Sequence, residues 1–215
     1  MKKCGNFTLI ELLVVIGIIV LLAGLILPAV MSAQQKGRIT QAKADMASIL
    51  TALKNVENTY NRMIDPAAVP FTSTTDVDSI TGGIRFGGQA PSGSSYDTYE
   101  KFILLLTDPQ HVATADLNIN KRRIKFLDPK PKYDSSASGT VAENKKQLWI
   151  DPWGNQYVIL INTDFSDTIP HPKGSGTLSA KAVVYSFGPN GTDDGAQNVL
   201  TGSSTKSHDD VTSWD

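Results

Sequence analysis

The sequence is poor in cysteine, in histidine and in any excess of one charge, and each shortage closes off a class of function. Its 215 residues contain one cysteine, Cys4, so no intramolecular disulfide can form and cysteine usage does not assign a redox compartment. Loss of a short leader would leave no thiol at all, which suits an oxidising compartment. Lysine and arginine number 20 against 21 aspartate and glutamate, a net charge of −1. No field of one sign points to nucleic acid or to an acidic substrate. His111, His171 and His208 are scattered, and no Gly-x-Ser-x-Gly or His-Glu-x-x-His motif accompanies them. No phosphate-binding loop occurs, so a motor ATPase would be a separate protein. A membrane-anchored periplasmic enzyme or binding module is therefore the reading these residues serve least.

One stretch lacks charge altogether. From Leu12 to Met31 the chain carries no charged residue and almost nothing polar, whereas the remainder reads as a soluble domain rich in Gly, Ser, Asp and Pro. At 1.5 Å per residue, about 20 residues cross a hydrocarbon core about 30 Å thick. Lys2 and Lys3 in front favour a cytoplasmic N-terminus. A cleaved secretory signal fits poorly, because the apolar stretch exceeds the usual length and no A-x-A-like site follows it. A simple signal anchor is the plainer alternative, and Glu11 speaks against it. An acid at the mouth of a membrane helix is expensive and is expected to have a partner, unless headgroups solvate it. Lys3, the nearest cation in sequence, would leave with any leader. The amino terminus of a neighbouring copy, freed by cleavage just before the helix, would pair with Glu11 and set the axial stagger between subunits.

The run Phe7-Thr8-Leu9-Ile10-Glu11-Leu12-Leu13-Val14-Val15-Ile16 resembles the class III prepilin signature shared by type IV pilins and type II secretion pseudopilins. The resemblance implies that a prepilin peptidase removes a short basic leader after Gly and methylates the new N-terminal residue, usually Phe. It also implies a glutamate four residues after that Phe, where Glu11 stands. Here Asn6 intervenes between Gly5 and Phe7. Cleavage after Asn6 keeps the Phe7-to-Glu11 spacing, cleavage after Gly5 moves Glu11 one place along, and absence of processing is a third alternative. Spacing controls the assembly contact and favours the first. Pro28 falls where many members of the family carry a helix-bending proline; it removes a backbone hydrogen bond and can kink or locally melt the helix.

Beyond the span, Ile39, Ala42, Met46, Ile49, Leu50, Leu53, Val56, Tyr60 and Met63 recur in steps of three and four, one face of a continuing helix. Lys36, Arg38, Lys43, Asp45, Lys54, Glu57 and Arg62 take other angles and are expected to face water or other subunits. Asp65-Pro66 supplies a stop near Ile64. From Asp65 to about Tyr96 the composition predicts a long irregular connection. Asp97 to Leu106 reads as a short helix with Asp97 as N-cap, ended by Asp108-Pro109. The Lys121-Arg122-Arg123 cluster reads as a solvated turn, a neighbouring subunit's acids being the alternative. Gln147–Ile150 and Tyr157–Ile161 are β-prone runs flanking Asp151-Pro152-Trp153-Gly154-Asn155, a hairpin or tight connection. Ala182–Phe187 supplies a third strand, and the long helix is the obvious cover for the resulting sheet. Trp153 is assigned to packing or turn anchoring rather than to a binding platform. The Asp-Pro-Trp-Gly-Asn segment is similar to one in the major, G-type pseudopilins.

The C-terminal part is rich in oxygen donors: Ser186-Phe187-Gly188-Pro189-Asn190-Gly191-Thr192-Asp193-Asp194-Gly195, then Ser207-His208-Asp209-Asp210-Val211-Thr212-Ser213-Trp214-Asp215. Ca²⁺ takes six to eight oxygens in flexible geometry, yet EF-hand spacing is absent and plain polar turns are the commoner use of such residues. Asp210-Val211-Thr212-Ser213-Trp214 resembles the ending of G-type pseudopilins, and that resemblance implies calcium there, with Asp209 and Asp210 as leading ligands and Asp193 and Asp194 behind them.

The expected fold class is α+β and pilin-like: a long N-terminal α-helix, its first half transmembrane, packed on a small antiparallel sheet domain with a C-terminal acidic loop. Residues 1–6 read as leader, 7–31 as the transmembrane and assembly segment, 32–64 as periplasmic helix and 65–215 as the globular domain. The resemblance implies a secretion pseudopilus subunit of the bacterial inner membrane with its C-terminal domain in the periplasm. Its implied partners are its own copies, prepilin peptidase, the inner-membrane secretion platform, minor pseudopilins and membrane lipid, with no nucleic acid. The close alternative is a type IV pilin or minor pilin for adhesion, motility or DNA uptake.

Overall fold

A computed structural model describes residues 9–61, 78–80, 83–87, 95–107, 120–128, 149–162, 166–172, 176–193 and 209–214. The chain forms two compact units, Met1–Thr40 and Gln41–Asp215. Helix α1 (Leu9–Tyr60) supplies all the described structure of the first unit and enters the second. In the first unit its side chains stand almost wholly exposed, and the helix runs through Pro28 without interruption.

In the second unit α1 becomes amphipathic. Ala42, Met46, Ile49, Ala52, Leu53 and Val56 are buried along it, the three-and-four spacing that sequence periodicity predicts. Two of the residues that the pattern turns toward water are in fact used internally. Asp45 Oδ2 accepts a 2.8 Å hydrogen bond from the Tyr157 hydroxyl, and Glu57 pairs with Lys181 at 2.6 Å. The helix ends at Tyr60, short of Ile64, because Asn61 takes a left-handed conformation with φ 52°. Asn tolerates that conformation better than most residues, and it commonly closes helices.

A five-stranded antiparallel sheet follows the helix. Its strands are β1 (Asp78–Ile80), β2 (Gly83–Phe86), β3 (Val158–Asn162), β6 (Ala182–Ser186) and β7 (Val211–Thr212), in spatial order β1-β2-β3-β6-β7. A separate ribbon pairs β4 (Ile169–Pro170) with β5 (Thr177–Leu178). The pairing Ile80↔Gly83 closes β1 and β2 into a hairpin, so the stretch read as irregular from Asp65 to Tyr96 holds two strands. The Gly82-Gly83 pair is a hairpin signal there, but the runs it joins are too short to show alternation. Helix α2 (Ser95–Thr107) begins two residues before Asp97, which is therefore inside the helix rather than its cap. It ends just before Asp108-Pro109, as expected.

Both faces of the sheet are covered, which explains why β3 is buried at every position and apolar from Val158 to Ile161 rather than alternating. Toward the helices point Tyr157, Ile159 and Ile161, with Phe86 opposite Ile159 in register. Phe86 stacks on Phe102 of α2 at 4.3 Å between ring centres. On the other face Val158, Leu160, Val183, Tyr185, Phe187 and Ile169 form a buried cluster, joined by Leu178, Ala180 and Trp214. A long N-terminal helix on a small antiparallel sheet is an α+β, pilin-like arrangement.

The Asp151–Asn155 segment is a tight connection, closed by an antiparallel bridge between Ile150 and Gln156. The buried Asp151 carboxylate organises it: Oδ1 accepts the Trp153 N–H at 3.0 Å and the Asn155 N–H at 2.7 Å. Such side-chain-to-backbone bonding is what makes Asp a turn residue. Trp153 is half-buried over this turn, in keeping with an anchoring role.

Candidate functional site

Two places in the chain concentrate features that core packing does not require. The first is the N-terminal half of α1. Among the described residues, every large apolar side chain that is exposed, apart from Ile124, lies between Leu9 and Met31. Leu9, Val20 and Leu25 are 80%, 71% and 71% exposed, and the segment is long and apolar enough to cross a membrane. A water-soluble surface does not carry so extended an apolar tract without a cover of lipid or protein. Glu11 stands exposed in the first described turn of the helix. Gly5, Asn6 and Phe7, the processing residues, lie outside the described residues.

The second place is the turn after β6 and the strand that returns to it. Gly188-Pro189-Asn190 makes one turn of 3-10 helix, with Gly191 closing it in the left-handed conformation at φ 65°. Gly188 itself has φ 66°, and a Cβ there would lie 2.0 Å from the Asp209 carbonyl oxygen. Only glycine permits so close an approach of the two backbones. The Asn190 N–H donates to Asp209 Oδ2 at 2.8 Å, and Asn190 Oδ1 accepts the Thr192 N–H at 2.7 Å. The groups gathered here are carboxylate, amide and carbonyl oxygens.

The four acidic residues assigned to this loop are placed differently. Asp209 lies against the turn. Asp210 is 1% exposed, directly before β7. Asp193 Oδ2 is held by Arg85 at 3.3 Å and accepts from the Tyr185 hydroxyl at 3.2 Å. Asp194 lies outside the described residues. Burial pushes the Tyr185 phenol above its ordinary pKa, opposed by the charge of Arg85. Among the described residues, no group of three or more His, Cys, Asp or Glu side chains is placed to hold a metal ion.

The Asp210-to-Trp214 ending has a packing role that its sequence alone did not disclose. Val211 and Thr212 pair with Ser186 and Tyr185, and Trp214 packs edge-on against Tyr185 and His171 at 5.9 and 5.7 Å. His171, one of the three candidate bases, is thus a packing partner; His111 and His208 lie outside the described residues. Of the Lys121-Arg122-Arg123 cluster, Lys121 and Arg122 are exposed and Arg123 is half-buried, and the Arg122 guanidinium lies 5.9 Å from the centre of the Tyr60 ring. The turn is fixed by Asn120, whose amide bonds the Leu105 and Ile124 carbonyls and whose Oδ1 accepts from Tyr60 at 2.8 Å.

The chain is similar over its whole length to a curated protein, the type II secretion system core protein G of Pseudomonas aeruginosa. Identity is 26% over 214 residues, covering 100% of this chain and 97% of the relative. The resemblance drawn from the prepilin-like signature and the Asp-Pro-Trp-Gly-Asn segment is therefore matched by a whole-chain similarity. No family model matches the chain, and no solved structure matches it.

Proposed function

We propose that the chain is a structural subunit of a type II secretion pseudopilus, acting by polymerisation rather than by catalysis. The observation that carries this reading is the whole-length similarity to a core protein of that system. The exposed apolar segment from Leu9 to Met31 supports it. Before assembly the segment anchors the subunit in the inner membrane, with the C-terminal domain in the periplasm. During assembly it leaves lipid for the packed centre of a filament, an exchange of one apolar surrounding for another. Glu11 draws each subunit onto the amino terminus of a neighbour, a charge pair strengthened by the low dielectric around it. Prepilin peptidase would expose that terminus after Asn6; the secretion platform and minor pseudopilins would receive and initiate the polymer. Pro28 would let the helix bend or locally unwind as the subunit moves.

A calcium ion at the C-terminal loop belongs to the same reading. Oxygen donors are the class a hard cation takes, and those around Gly188, Asn190 and Asp209 are all oxygens. Asp209 would be the principal carboxylate ligand, with the buried Asp210 next to it in the chain and Asp194 a further candidate. Asp193 is the weakest of the four, since its Oδ2 is already shared by Arg85 and Tyr185. A bound ion would offset the repulsion of neighbouring carboxylates and hold the loop on the sheet.

Electron microscopy of the full chain, produced together with a secretion platform and prepilin peptidase, tests the proposal. Thin filaments that label along their length for this chain are expected. Efficient export with this chain present only as unassembled monomer would remove the polymerisation role.

A further inference from the structure

The Asp151–Asn155 turn and the acidic loop are far apart in sequence, yet they meet on one carboxylate. Asp151 holds its own turn through Oδ1, while Oδ2 accepts the Ser186 hydroxyl at 2.6 Å. Ser186 Oγ in turn accepts the Gly188 N–H at 3.0 Å. From the same turn, Asn155 Nδ2 reaches the Gly188 carbonyl at 3.4 Å, and its side chain lies 3.3 Å from where a Gly191 Cβ would stand. The loop's first residues are therefore gripped from behind at Gly188 and flanked at Gly191. Asp209 is set on the front of that turn, by close contact with Gly188 and by the Asn190 N–H. Asp151 and Ser186 are 3% and 0% exposed, so these bonds act in a low dielectric where they orient strongly.

We infer that Asp151, Ser186 and Asn155 are positioning residues for the calcium loop, touching no ion themselves but fixing the turn on which Asp209 is presented. The inference rests on the calcium reading above. It gives the Asp-Pro-Trp-Gly-Asn segment a second task besides closing a strand connection: its acid supports the acidic loop. Partners one shell away from a metal change affinity because they fix the geometry of the groups that bind it.

The test is isothermal titration of the full chain in detergent with calcium chloride. Ser186→Ala is expected to weaken binding about tenfold. Asp151→Asn keeps an acceptor oxygen for Trp153 and Asn155 but puts an amide N–H where the Ser186 hydroxyl donates, and is expected to weaken binding in the same direction. Ile103→Val, a mild destabilisation placed in α2, should leave affinity unchanged. Should Ser186→Ala fail to fold, the half-buried Asn155→Ala carries the same test with loss in the same direction. Wild-type binding with unaltered affinity in Ser186→Ala and Asn155→Ala overturns this inference and leaves the calcium reading standing. Equal weakening in Ile103→Val also overturns it, since the effect would then be general loss of stability. A wild type that binds no calcium removes both.

Discussion

The Tyr157 hydroxyl donates a 2.8 Å hydrogen bond to Asp45 Oδ2, joining the residue before β3 to α1. Tyr157 is 0% exposed, and burial beside the Asp45 charge pushes its phenol well above the ordinary value. It stays neutral and donates throughout the physiological range. Tyr157→Phe removes the donor but keeps the ring, and should cost about 1.5–3 kcal/mol, the range for a bond to a charged group. Urea unfolding of wild type, Tyr157→Phe, Asp45→Ala and the double variant should yield a coupling energy of that size. Additive single losses would show that the two residues act separately.

Gly188 and Gly154 both have positive φ, 66° and 98°, but they differ in surroundings. A Cβ at Gly154 meets nothing within 4 Å, while one at Gly188 would overlap the Asp209 carbonyl. Gly154→Ala should therefore cost only backbone strain, about 1–2 kcal/mol. Gly188→Ala carries the same strain and also pushes Asp209 off the turn, so its melting temperature should fall further. Equal losses in thermal melts would contradict the close packing assigned to Gly188.

The buried Asp151 makes a pH-dependent contribution. Burial raises its carboxyl pKa above the ordinary 3.8, opposed by hydrogen bonds from Ser186, Asn155 and Trp153. Because the folded-state value is the higher one, the folded protein takes up the proton first as pH falls. Wild type should thus gain stability relative to Asp151→Asn as pH drops from above that raised value toward 3.8. Below 3.8 the difference should level off. Paired urea midpoints of the two proteins across this window give the sign directly, and a falling difference would reverse the assignment.

Asn6 makes the processing site a sharp prediction. Mass spectrometry of protein from cells containing prepilin peptidase should give a mature chain beginning with N-methylated Phe7. A chain beginning at Asn6 would place Glu11 one residue further from the terminus and require a different stagger between subunits. Retention of Met1 through Asn6 would exclude a free terminus at the helix as the partner of Glu11.

Much of the fold is readable from local pattern. The apolar run from Leu12, the buried stripe Ala42-Met46-Ile49-Leu53-Val56 and the strands around Val158 and Val183 follow from length and periodicity. The ends and edges do not. Asn61 stops α1 through a left-handed conformation that the apolar period, which runs on to Met63, does not register. The β1–β2 hairpin escapes notice because its strands, Asp78–Ile80 and Gly83–Phe86, are too short to establish a period. For the loop, the resemblance ranks Asp209 above Asp193 but gives no placement for either; Asp209 sits on the Gly188 turn and Asp193 is held by Arg85. That difference depends on a strand residue 108 positions earlier in the chain. The Asp151–Ser186 bond was equally invisible, since nothing near either residue names the other.

In the function proposed above, the N-terminal helix is an assembly element and Glu11 makes it one. Electron microscopy of filaments from cells producing either wild type or Glu11→Ala, with membrane fractionation of both, tests it most directly. Glu11→Ala removes a carboxylate and lengthens the apolar stretch, so insertion should be retained or slightly improved. Wild type should form filaments, and Glu11→Ala should give a membrane-inserted subunit that forms few or none. Filaments of normal length and number from Glu11→Ala would contradict it.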